Sequence, residues 1–149
     1  MTIGKSRFAL AQFHFHTPSE HALNGQRTEM EAHFVNADDK GGVLVVGVLM
    51  KAGASHPAFA HLMGSAPKEE GSAMLNSPVD PSAFLPADPT RFRYEGSLTP
   101  PPCSEIVDWN IYAAPIEVAQ SDIAAFKSIF PMNARPLQKL GRRFLLETG

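Results

Sequence analysis

Apolar and polar positions alternate early in the chain and then stop alternating. Residues 6–16 alternate towards their end, with Gln12, His14 and His16 on one side and Phe13 and Phe15 on the other. Period two predicts a strand. Residues 27–35 repeat the pattern, with Glu29, Glu31, His33 and Val35 sharing a face. Between them lies TPSEHALNGQ, whose Asn24-Gly25 pair is a strong hairpin signal. If that turn sets the register, Leu23 faces Gln26 and His16 falls opposite His33, on antiparallel neighbours. The polar, glycine-rich stretch 37–42 reads as a turn. Val43–Lys51 is apolar on both faces and predicts a central strand.

The remaining pattern is weaker. Pro57 in a first turn and Gly64 as a stop predict a short helix over 56–64. Residues 65–90 are rich in Pro, Ser, Ala and Asp and read as irregular surface with short helical pieces. Short strands are expected at 91–94, 105–113 and 142–147. Three consecutive prolines make GSLTPPPC (96–103) an extended loop. Ser121 is placed to cap a helix running to about Phe130. The expectation is one mainly β domain over 1–149, a twisted, largely antiparallel central sheet with short peripheral helices.

Composition narrows the function. The chain is 44% hydrophobic and 19% charged, ordinary for a globular protein, with net charge −2 and no basic stripe to follow a phosphate backbone, so no nucleic acid partner is expected. The longest apolar run, Val43 to Met50, is far too short to span a bilayer, so no membrane association is expected. The N-terminus lacks a signal-peptide apolar region, and as it stands the chain reads as cytoplasmic. Cys103 is the sole cysteine, so no internal disulfide forms.

The histidines carry the chemistry. Residues i and i+2 of a strand point the same way, about 6.5 Å apart, so His14 and His16 can converge on one metal. His33 supplies a third nitrogen from the paired strand. Three protein ligands leave one tetrahedral position open, as catalytic rather than structural zinc sites do. Gln12 and Glu31 each lie two residues before a candidate ligand, on its face, and are placed to orient the neighbouring imidazoles. His21, His56 and His61 lack such company and read as surface or capping residues. An unrelated zinc hydrolase finds no support, since the chain has no HExxH.

QFHFHTPSEHALNG, MEAHFV, YEGSLTPPPCSE and MNARPLQ resemble the α-class carbonic anhydrases, particularly the bacterial members, in order and spacing over nearly the whole chain. The resemblance implies reversible hydration of carbon dioxide to bicarbonate and a proton, on a zinc ion held by His14, His16 and His33. Zinc brings the pKa of its bound water to about 7, a figure whose reference case is carbonic anhydrase itself. The resemblance further implies that Gln12 and Glu31 support His14 and His33, and that the backbone carbonyl of Asn133 holds the remaining ligand. Thr99 would accept a hydrogen bond from the nucleophile and pass its own proton to Glu20, with its N–H meeting bicarbonate or an anionic inhibitor. Val35, Val45, Leu98, Val107 and Trp109 would form the apolar wall for carbon dioxide and for sulfonamides.

Two departures temper this. The family carries a long segment ahead of the first motif, whereas eleven residues precede Gln12 here. Expected consequences are missing N-terminal strands, an unassigned proton shuttle, an unpaired Cys103, and open sheet edges that dimerise, pair with a partner chain or leave the fold marginally stable. Pro100 stands where many members carry a hydroxyl residue, which implies one fewer hydrogen bond to bicarbonate. The rival expectation is a zinc-binding but catalytically weak or silent module.

Overall fold

The computed structural model describes residues 2–4, 6–69 and 71–149. Glu70, inside the stretch read as irregular, lies outside the described residues. A two-stranded ribbon pairs β1 (Thr2–Ile3) with β2 (Ser6–Arg7). The main sheet has seven strands in the order β3 (Ala9–His16), β4 (Met30–Ala37), β5 (Val43–Ala52), β7 (Val107–Tyr112), β6 (Arg91–Gly96) and β9 (Leu146–Thr148), with β8 (Ile116–Val118) also pairing β5. Two helices, α1 (Pro57–Ser65) and α2 (Gln120–Ile129), and a 3-10 turn at Pro81–Phe84 complete it.

The sheet is mixed. β3–β4, β4–β5, β6–β7 and β6–β9 are antiparallel, but β5 runs parallel to both β7 and β8. The apolar run of β5 explains this, because a strand buried on both faces can take neighbours that arrive by long crossovers. α1 and β6 lie between β5 and β7 in the chain.

Parity sorts the residues. Met30, Ala32, Phe34, Leu44, Val46, Val48 and Met50 face a core closed by Phe59 of α1, Phe84, and Ile123 and Phe126 of α2. The other face of β5 and β7 carries Val45, Val107, Trp109 and Ile111, with Val35, Tyr94 and Leu98 packed against them. His33 and Glu31 share that second face with Val35.

The local signals account for most element ends. Asn24 and Gly25 adopt φ of 52° and 78°, the conformation the turn needs. Asp38 Oδ1 accepts from the N–H groups of Lys40 and Gly42 and so closes the β4–β5 turn. His56 caps α1 by accepting from the Phe59 N–H at 3.4 Å. Ser121 does not cap α2: Ala119 holds that position without a side-chain bond, and Asp122 in the first turn and Lys127 in the last complement the helix dipole.

The register differs from expectation by two residues. Leu23 does bridge Gln26. Ser19 N–H then donates to Thr28 O, and His14, not His16, stands opposite His33, while His16 faces Glu31. The upstream arm holds two more residues than the downstream arm, and Glu20 and His21 bulge out to donate both backbone N–H groups to Glu31. A shift of two preserves the face, so the three histidines still share one. No helix among the described residues is long and apolar enough to cross a membrane.

Candidate metal centre

β3 delivers His14 and His16, and β4 delivers His33. Their ring centroids lie 4.6 to 5.4 Å apart, and one nitrogen from each falls within 4.8 Å of the others. Each ring is held by its other nitrogen. His14 Nδ1–H donates to Gln12 Oε1 at 2.8 Å, His16 Nδ1–H to the Asn133 carbonyl at 3.0 Å, and His33 Nε2–H to Glu31 Oε1 at 2.9 Å. These tautomers follow from the acceptors present. They leave His14 Nε2, His16 Nε2 and His33 Nδ1 as lone-pair donors. His16 Nε2 is buried and has no hydrogen-bond partner among the described residues. A buried, unpaired imidazole nitrogen is costly unless something binds it, so this donor set fits a metal ion.

Electrostatics favours the same state. Burial, then the neighbouring rings of His33 and His16, lowers His14 to about 4. Burial and His33 also lower His16. Both are neutral at pH 7, as ligands must be.

Glu31 is fully buried. Oε2 accepts the backbone N–H groups of Glu20 and His21, both at 2.8 Å, and Oε1 accepts His21 Nδ1–H at 2.7 Å and His33 Nε2–H. Burial opposes its ionisation, but the facing imidazoles and their hydrogen bonds win and hold its carboxyl well below the usual range.

Asn133 does more than lend a carbonyl. Its Oδ1 accepts from Thr17 N–H at 2.8 Å, its Nδ2 donates to Phe15 O at 2.9 Å, and its own N–H donates to Thr17 O at 3.2 Å. It thereby clasps the end of β3 on either side of His16.

Beside the imidazoles, Thr99 Oγ1 donates to Glu20 Oε2 at 2.6 Å, and Arg135 N–H donates to Glu20 Oε1 at 2.7 Å. Glu20 offers only acceptors, so the Thr99 proton is committed and its oxygen is free to accept. Val45, Val107 and Trp109 are buried together, with Val35 and Leu98 against them. His33, Glu31, Val35, Val45, Val107 and Trp109 thus share one side of the sheet, with Leu98 packed against it.

The sequence reading missed three participants. His21 is not a surface or capping residue but half-buried, and its Nε2 accepts from the Tyr94 hydroxyl at 2.6 Å. Its loop position hides it from any face pattern. Tyr94 stacks on Trp109 at 6.4 Å. Pairing β6 with β7 would have placed it there, since Tyr94 and Trp109 are register partners. Burial, with Glu31 nearby, raises its hydroxyl pKa. The Arg135 N–H carries no side-chain signal at all.

Fold and site together define a class: a sheet-borne centre of three converging imidazoles, each oriented from behind, able to hold one metal ion beside an apolar wall. The chain belongs to the eukaryotic-type carbonic anhydrase family, which it matches over residues 1–147. It is 42% identical over 143 residues to a carbonic anhydrase of Nostoc sp., covering 95% of this chain and 54% of that protein. The α-carbonic anhydrase of Thermovibrio ammonificans, solved with the inhibitor sulfanilamide, superposes with a TM-score of 0.91 at 40% identity, over 94% of this chain and 63% of the other. Dioscorin complexed with ascorbate shares the fold at 29% identity and a TM-score of 0.88, over 98% and 64% of the two chains. The chain spans a little over half the length of the curated relatives it matches.

Proposed function

We propose that this chain binds one zinc ion through His14 Nε2, His16 Nε2 and His33 Nδ1 and hydrates carbon dioxide reversibly to bicarbonate and a proton. The observation that carries the proposal is the Glu20–Thr99 pair beside three imidazoles whose inward nitrogens lie within 4.8 Å of one another. When bound, zinc supplies a Lewis acid that makes a coordinated water nucleophilic near neutral pH.

The chain's own residues do the rest. Gln12, Glu31 and Asn133 hold the rings in the tautomers that face inward. Glu20 accepts the Thr99 hydroxyl hydrogen bond, so Thr99 can only accept from the attacking water, which fixes where that water's remaining lone pairs point. This is orientation of a nucleophile. Val35, Val45, Leu98, Val107 and Trp109 offer an apolar gas an apolar seat and exclude competing water. In this reading the Thr99 N–H meets the product anion.

The test is carbon dioxide hydration by the purified chain with one equivalent of zinc, at two buffer concentrations, with and without sulfanilamide. Sulfanilamide-sensitive hydration supports the proposal, and a rate that rises with buffer shows that solvent species carry the proton away. Stoichiometric zinc without hydration favours a second reading, a zinc-binding but catalytically silent module. That reading draws on dioscorin, which carries the same fold under another name. Self-pairing along β3 is a further part of the proposal, because β3 has β4 as its one strand neighbour among the described residues.

A further inference from the structure

The apolar run of β5 is broken at its middle by Gly47. Glycine weakens a strand interior, and it persists where something must come close. Here the backbone does not ask for it, since Gly47 is not among the positive-φ residues. The space does. A Cβ at this position would stand 2.8 Å from Glu31 Oε1 and 2.6 Å from Ile111 Cδ1. Gly47 is the register partner of His33 on one side and of Ile111 on the other. Its missing side chain would project from the face that carries both.

We infer that Gly47 is a positioning residue of the histidine centre: by having no side chain, it leaves the room in which Glu31 Oε1 accepts the Nε2–H of His33. Ile111 Cδ1 is the end of a flexible side chain and can swing aside. Glu31 cannot. Its two oxygens are tied to four donors, and it is fully buried. A methyl group at position 47 therefore displaces the carboxylate from His33, frees that ring to turn, and costs the metal its third ligand in the right orientation. For the role of His33 the inference rests on the zinc reading. For the geometry it does not.

The test uses Gly47→Ala, Ile111→Ala, the two combined, and Glu31→Ala with and without Gly47→Ala. One readout is the zinc dissociation constant, by competition with a chromophoric chelator. The other is the ring N–H proton resonance of His33 in the metal-free protein. Gly47→Ala is expected to weaken zinc about 10- to 100-fold and to remove or move the His33 resonance. Adding Ile111→Ala should not restore either. In the Glu31→Ala background, Gly47→Ala should cost nothing further, because the two changes act on one contact.

Unaltered zinc affinity in Gly47→Ala overturns the inference. So does full recovery on trimming Ile111, or losses that multiply when Gly47→Ala and Glu31→Ala are combined. If Gly47→Ala alone does not fold, the double variant compared with Ile111→Ala gives the same comparison. A native chain that bound no zinc would defeat the zinc reading, while the His33 resonance would still decide the role of Gly47.

Discussion

Thr99 donates its hydroxyl proton to Glu20 across 2.6 Å, although the two residues lie 79 positions apart in the chain. The bond is made possible by the bulge that carries Glu20 out of the β3–β4 hairpin and by the Arg135 N–H that occupies the other carboxylate oxygen. It couples three distant segments at one point beside the histidines.

Thr99→Val keeps the shape and removes the hydroxyl. Hydration should fall about 10²-fold, the cost of a misdirected nucleophile, while zinc stoichiometry stays at one. Stopped-flow hydration together with metal analysis checks both. An undiminished rate would show that Thr99 orients nothing.

Stability of the metal-free chain should depend on pH below neutrality. The folded pKa of His14 is lowered to about 4 from 6.5, and that of His16 is lowered as well. Between those limits the unfolded chain binds protons that the folded chain does not, so stability is full above pH 6.5 and falls as pH drops towards 4. The lowered carboxyl of Glu31 adds a second loss below its ordinary value of 4.5. Urea unfolding of zinc-free protein at pH 7, 5.5 and 4.5 measures the first window, and His14→Gln should make the loss smaller while leaving the part due to His16.

His21→Ala removes one of four donors to Glu31 and the acceptor of the Tyr94 hydroxyl. A destabilisation of about 1–3 kcal/mol is expected for each buried group left unpaired, by urea unfolding. Zinc affinity should drop less than in Glu31→Ala, because Glu31 keeps three donors. Equal losses would mean that His21 alone holds the carboxylate.

Phe84 is fully buried on the opposite face, against Phe13, Phe15, Phe34 and His56. Phe84→Ala should cost about 3–5 kcal/mol and lower the melting temperature. Zinc affinity of the folded protein should not change, since the sheet separates this core from the histidines.

Among the described residues β3 pairs with β4 alone, and its Leu10 is 43% exposed. Sedimentation velocity should show concentration-dependent association, reduced by Leu10→Lys, because a charge on an edge strand opposes edge-to-edge pairing. A strictly monomeric chain at high concentration would remove self-pairing from the proposal.

Much of this architecture can be read from period-two alternation. His14, His16 and His33 share a face whether the hairpin register is right or two residues off, so the centre was legible even though the pairing was not. TPSEHALNGQ is not a simple ladder, because Glu20 and His21 leave it to reach Glu31. Parallel pairing of β5 with β7 is a long-range outcome that local pattern does not encode. β8, with three residues, is too short to show a period. His21 and the Arg135 N–H act from loops, where neither spacing nor face marks them, and Gly47 looks like an ordinary interruption until the carboxylate beside it is seen.

The clasp of Asn133 on β3 has a consequence for biosynthesis. Asn133 follows His16 by 117 residues. At ribosomal rates of 5–20 residues per second, roughly 6 to 23 s separate their synthesis. During that interval a nascent chain can hold β3 and β4 but not the carbonyl that turns His16 inward. The imidazole of His16 is therefore turned inward only after Asn133 has been made, well after β3 and β4 are able to pair.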